Sequence, residues 1–146
     1  MDLVSRRGIL DRRAQRSMVG AKLDELAVRP RGTARPVRQL SGGNQQKVVL
    51  AKWMLRRGVR MFILDEPTRG VDIATKVEIY RMVADLAAAG MAVLLISSDM
   101  PEVLGMSGRL LVMRAGRIVA ALDRDQADME TLFAHAAGLT PDRLIA

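Results

Sequence analysis

Residues 61–68 read Met61-Phe62-Ile63-Leu64-Asp65-Glu66-Pro67-Thr68. Four consecutive apolar residues do not alternate, which is the pattern of a strand in a sheet covered on both faces. The run ends on two carboxylates, so the strand delivers Asp65 and Glu66 to the carboxyl edge of the sheet, where open α/β folds bind ligands. A second run of the same kind, Ala92-Val93-Leu94-Leu95-Ile96-Ser97, follows after residues 73–89, whose apolar positions Val77, Tyr80, Met82 or Val83, and Leu86 have helical spacing and stop at Gly90. Strand, helix, strand with a crossover of this length implies parallel neighbours and an α/β fold. Hard oxygen ligands suit a hydrated Mg²⁺ at Asp65, and Glu66 next to it is placed to take a proton from an attacking water.

Upstream, LSGGNQQK (residues 40–47) combines Leu40, Ser41, Gly42, Gly43, Asn44, Gln45, Gln46 and Lys47 at the start of a breaker-free run extending to residue 57. Two glycines at a helix start remove every Cβ from the approach, leave backbone N–H groups open and set them at the positive end of the helix dipole. Together with the Ser41 hydroxyl they form a seat for an anion, with Ser41 or Gly42 as the cap. Pro30, Gly32 and Pro36 mark residues 29–39 as a loop, and residues 10–26 carry a moderate amphipathic helix signal. Downstream, residues 110–113 and 117–120 flank Arg114-Ala115-Gly116 as a tight hairpin, and a last helix over about 125–137 ends at Gly138.

The 146 residues suffice for one core, and 49% apolar with 27% charged residues is a globular composition. The longest uncharged stretch, residues 86–98, is too short to span a bilayer. No secretory signal is visible at the start, and zero cysteines exclude disulfide and thiol chemistry, in keeping with a cytosolic home. The net charge of +7 is uneven: residues 1–60 hold 15 Lys and Arg against 4 Asp and Glu, residues 61–146 hold 8 against 12. A basic half invites a nucleic-acid reading, but 3% aromatics offer no stacking platform, so a solvated basic face is the stronger one.

LSGGNQQK followed by ILDEPTRGVD resembles the ATP-binding-cassette ATPases. With SSDMPEVLGMS (residues 97–107), the wording is similar to the C-terminal cassette of the tandem-cassette ATPases that energise bacterial import of ribose, xylose and galactose. The resemblance runs from about residue 8 to 138. It implies a P-loop-NTPase-like cassette fragment: a helical-subdomain portion over residues 1–58 ending in the signature helix, the Walker B strand and C-terminal half of the ATPase core over 59–138 with its hairpin and helix, and a tail over 139–146.

It also implies ATP and Mg²⁺ as cofactors. Ser41, Gly42, Gly43, Asn44 and Gln45 would grip the γ-phosphate of ATP held by a second cassette. Asp65 would be the Mg²⁺-side aspartate, acting through water, Glu66 the catalytic glutamate, and Asp72 would lie at the cassette interface. Ser98 stands where the family carries a γ-phosphate histidine, and the one histidine, His135, falls in the last helix as a surface or packing residue. Expected partners are the second cassette, membrane permease subunits and, indirectly, a periplasmic sugar-binding protein, with no nucleic acid; the expected location is the inner face of the plasma membrane.

The phosphate-cradling Gly-x-x-x-x-Gly-Lys-Ser/Thr pattern occurs nowhere in the 146 residues. The resemblance therefore implies the C-terminal part of a cassette, inactive alone, with exposed apolar sheet edges. The competing readings are a cytosolic cassette acting on ribosomes or DNA and an inactive remnant.

Overall fold

The computed structural model describes residues 4–6 and 9–140. Two short strands, β1 (Ser5–Arg6) and β2 (Ile9–Leu10), pair antiparallel ahead of the first helix. Then come α1 (Arg12–Glu25), α2 (Gly42–Met54), β3 (Met61–Asp65), α3 (Ile73–Ala88), β4 (Ala92–Ile96), α4 (Met100–Met106), β5 (Arg109–Arg114), β6 (Arg117–Asp123) and α5 (Met129–Ala137). Packing divides the chain into two compact units, one of residues 1–62 and 67–92, the other of residues 63–66 and 93–146.

In the first unit, Asp11 starts α1 by accepting from the backbone N–H groups of Arg13 (3.0 Å) and Ala14 (2.9 Å), satisfying donors that the helix itself leaves open. No residue of α1 is fully buried. The fully buried apolar residues here are Leu26 and Val28 just beyond it, which cluster with Ala51 of α2. Leu23, Leu40, Val48, Met54 and Met82 pack around them, and Ile79 of α3 is completely enclosed.

In the second unit, β5 and β6 form an antiparallel hairpin with a bulge between Val112 and Met113. Ala115 (φ 49°) and Gly116 (φ 77°) are both left-handed, which is the two-residue turn whose twist matches the flanking strands. The hairpin's inner face, α4 and α5 enclose a core of Leu104, Leu110, Val112, Val119, Leu122 and Leu132. His135 is buried in α5 with its ring against the Thr140 hydroxyl (3.0 Å), the packing role expected of it.

β3 and β4 are hydrogen-bonded neighbours. In the first unit the N–H of Ala92 donates to the carbonyl of Arg60 (3.1 Å); in the second the N–H of Glu66 donates to that of Ile96 (2.8 Å). Both strands run in the same order through these bonds, so the pair is parallel, as the crossover predicted.

Four sequence expectations need correction. The apolar runs predicted a sheet covered on both faces, yet Phe62 and Leu64 are buried while Met61 is 50% and Ile63 63% exposed. Among the described residues nothing covers that second face, so the uniform run is read by the structure as an alternating one. α2 ends at Met54 rather than residue 57, and α5 starts at Met129 rather than 125 because Asp128 caps it, its side chain accepting from Thr131 N–H (2.7 Å). α4 was unforeseen; Asp99 caps it by accepting from Glu102 N–H (3.2 Å), with Pro101 in its first turn. Of the tail expected over 139–146, residues 141–146 lie outside the described residues.

Candidate functional site

The candidate residues lie in two clusters, one in each unit. In the first, Ser41 is extended (φ −61°, ψ 156°) and α2 starts at Gly42, but the Ser41 side chain makes no capping bond to the helix. Its Oγ instead accepts from the side-chain amide of Asn44 (2.8 Å), which leaves the hydroxyl proton to donate elsewhere. The first intrahelical bond is from Gln45 N–H to the Ser41 carbonyl (2.9 Å). The amides of Gly42, Gly43 and Asn44 are therefore outside the helix ladder and uncapped by Ser41, and no acidic residue occupies this first turn to repel an anion.

Asn44 and Gln45 hold the seat by their side chains. Asn44 Oδ1 accepts from the N–H of Arg29 (2.8 Å), tying the seat to the segment after α1, and Gln45 Nε2 donates to the carbonyl of Leu40 (2.9 Å). Gly43 is packed against α3: a Cβ there would stand 2.3 Å from Thr75 Cγ2 and 2.8 Å from Thr75 Oγ1. One turn further along α2, the nearly buried Lys47 forms an ion pair with Glu78 of α3.

Asp72 caps α3 twice through one residue, Oδ1 accepting from Thr75 N–H (2.9 Å) and Oδ2 from Thr75 Oγ1 (2.7 Å). Those bonds to the ionised form, the backbone one foremost, lower its carboxyl below the ordinary 3.8. Asp128 is lowered in the same way by Thr131. A group with a depressed folded-state value stabilises above its unfolded value and loses that contribution as pH falls through the folded one. Helicity is thus expected to decline as pH falls below about 4, where unfolded aspartate begins to hold its proton. In an Asp72→Asn, Asp128→Asn variant, whose caps do not titrate, circular dichroism over the same range should show a smaller decline; an identical decline would exclude the caps as a cause.

In the second cluster, Asp65 ends β3 exposed at the strand's carboxyl edge. Glu66 follows in a left-handed conformation (φ 46°), a strained setting for a side chain with a Cβ and one that concentrates at functional sites. Its Oε1 accepts from the backbone N–H of Ser98 (2.9 Å), and Oε2 has no partner among the described residues. Ser98 therefore touches Glu66 through its backbone, while its side chain is exposed. The loop that presents this N–H is braced by Glu102, a buried carboxylate accepting from Ser97 Oγ, which in turn accepts from Asp99 N–H (3.0 Å). Sequence reading missed Glu102; the Asp99-Met100-Pro101-Glu102 spacing of a capping box was its signal.

Among the described residues no group of three or more His, Cys, Asp or Glu could hold a metal. A single exposed carboxylate at a strand end still fits Mg²⁺ that keeps its waters and takes its other ligands from a phosphate substrate. No helix of the described residues is long and apolar enough to cross a membrane.

Residues 5–69 match the ABC transporter family. The chain is 51% identical over 136 residues to the ribose import ATP-binding protein RbsA 1 of Streptomyces avermitilis, covering 93% of this chain and 26% of that protein. It is 53% identical over 131 residues to the protein of the same name from Streptomyces coelicolor, covering 90% and 26%. The chain thus spans about a quarter of the length of these relatives. Among solved structures, a metal-chelate type ABC transporter in an inward-facing conformation superposes with a TM-score of 0.76 at 18% identity, covering 92% of this chain and 53% of that one, a likeness of fold.

Proposed function

We propose that this chain, whose residues 5–69 match the ABC transporter family, forms the C-terminal part of an ATP-binding cassette in a two-cassette, bacterial sugar-import ATPase. The observation that carries this reading is the first turn of α2, whose amides are left open because Ser41 is held by Asn44 and does not cap. Such an end favours the γ-phosphate of ATP bound on a second cassette, with Ser41, Gly42 and Gly43 facing it and Asn44 and Gln45 holding the seat in shape. Asp65 would take the water shell of Mg²⁺, which when bound neutralises phosphate charge. Glu66, oriented by the Ser98 N–H, serves the cassette's own site, and Asp72 lies at the cassette interface. ATP, the second cassette, permease subunits and a periplasmic sugar-binding protein are the proposed partners, and sugar choice resides in the last two. The assembled location is the cytoplasmic face of the plasma membrane.

A seat that contacts a nucleotide from one side is worth about 3 to 5 kcal/mol, so the chain alone should bind ATP at roughly millimolar Kd. Titration calorimetry checks this: micromolar ATP binding would refute the one-sided seat and point to a complete nucleotide site. The whole proposal is tested by a completed protein, in which this chain replaces the matching quarter of a full-length relative. Restored sugar uptake and ATP turnover support it, and a folded, assembled but silent chimaera overturns it.

A further inference from the structure

Thr75 touches both functional segments of the first unit. Its backbone and hydroxyl are fixed by the two oxygens of Asp72, and its Cγ2 occupies the space that a side chain at Gly43 would need. The Lys47–Glu78 pair joins the same two helices one turn further on, with Lys47 4% exposed. Close-packed contacts of this kind transmit displacement instead of absorbing it. A shift of the Asp72 loop therefore turns or moves the Thr75 side chain, which bears on the backbone at Gly43, where two of the open amides sit.

We propose that Thr75 is a positioning residue that couples the Asp72 loop to the amide seat at the start of α2, so that the two move as one body when a second cassette docks. The coupling runs through the hydroxyl, which donates to Asp72 and also stands 2.8 Å from where a Cβ at Gly43 would lie, while the methyl fills the space beside it. It rests on the proposed role of the seat, and it adds a residue that backs the seat from α3.

The hydroxyl and the methyl make opposite demands under a packing role and a coupling role. Val keeps the shape against Gly43 and removes the bond to Asp72; Ser keeps the bond and removes the methyl. In the completed protein, Thr75→Val should lower kcat for ATP about 10-fold, the size of one charge-assisted hydrogen bond, with KM within about twofold because on the proposed reading the nucleotide is held by the other cassette. Thr75→Ser should retain kcat within about threefold of the parent on the same reasoning. Melting temperatures are read alongside, and if Thr75→Val does not fold, Thr75→Ala against Thr75→Ser supplies the same comparison, since that pair differs by the hydroxyl alone. A Val variant as active as the parent, or a Ser variant as impaired as Val or Ala, overturns the coupling. Gly43→Asp is run in the same assay. If it is silenced while Thr75→Val turns over normally, only the coupling fails; if Gly43→Asp is itself active, the seat and the coupling both fall.

Discussion

Gly43→Asp in the completed two-cassette protein should reduce ATP turnover and sugar uptake by about 100-fold or more, the loss seen when a transition-state donor is removed and like charge is added. Two independent effects converge on this position. The new carboxylate would face the γ-phosphate across the open amides of α2, where negative charge develops as the phosphoryl group leaves. The new Cβ would also stand 2.3 Å from Thr75 Cγ2, too close for either side to stay in place. Gly43→Ala introduces the clash without the charge, so the difference between the two variants isolates electrostatics. Glu66→Gln, by contrast, should cost no more than a few-fold: the amide oxygen still accepts the Ser98 N–H, and on the proposed reading, which puts Ser98 in the place of the family histidine, the site that Glu66 would serve lacks a group that orients the phosphoryl. Steady-state ATPase of the three variants beside the parent decides the matter. A Glu66→Gln loss as deep as that of Gly43→Asp would mean that this cassette hydrolyses ATP itself.

The chain by itself should release no phosphate from ATP above a blank. Phosphoryl transfer depends on holding the phosphates before any base can act, and no Gly-x-x-x-x-Gly-Lys-Ser/Thr loop occurs in the 146 residues. None of the four lysines lies in such a loop, and three are engaged elsewhere: Lys47 pairs with Glu78, Lys22 with Glu25 (2.6 Å), and Lys52 lies over the Trp53 ring. Glu66 is oriented by Ser98 N–H, yet without a held phosphate it has no reacting water to deprotonate. A colorimetric phosphate assay with Mg²⁺ tests this directly, and steady release that disappears in Glu66→Gln would refute it.

Features that depend on a few adjacent residues were legible in the sequence. The start of α2 at the glycine pair, the strand ending on Asp65, the helix from Ile73, the hairpin around Ala115 and Gly116 and the helix ending before Gly138 follow from short-range steric and hydrogen-bonding preferences, and all appear where expected to within a few residues. The resemblance of LSGGNQQK and ILDEPTRGVD to ATP-binding cassettes was equally a property of the string, since phosphate chemistry demands those residue types in that order.

Tertiary structure decided what depends on neighbours distant in sequence. Which face of β3 is covered cannot be read from Met61-Phe62-Ile63-Leu64, because burial is set by the elements that pack on the strand and not by the strand's own composition. That Asn44 and Gln45 brace the seat with their side chains, reaching Arg29 and Leu40, depends on how the preceding loop returns past α2. The need for glycine at position 43 comes from Thr75, 32 positions along the chain, and the orientation of Glu66 comes from a backbone N–H equally far away at Ser98. A local pattern fixes which groups a segment offers; only the packed chain fixes the partner each group meets.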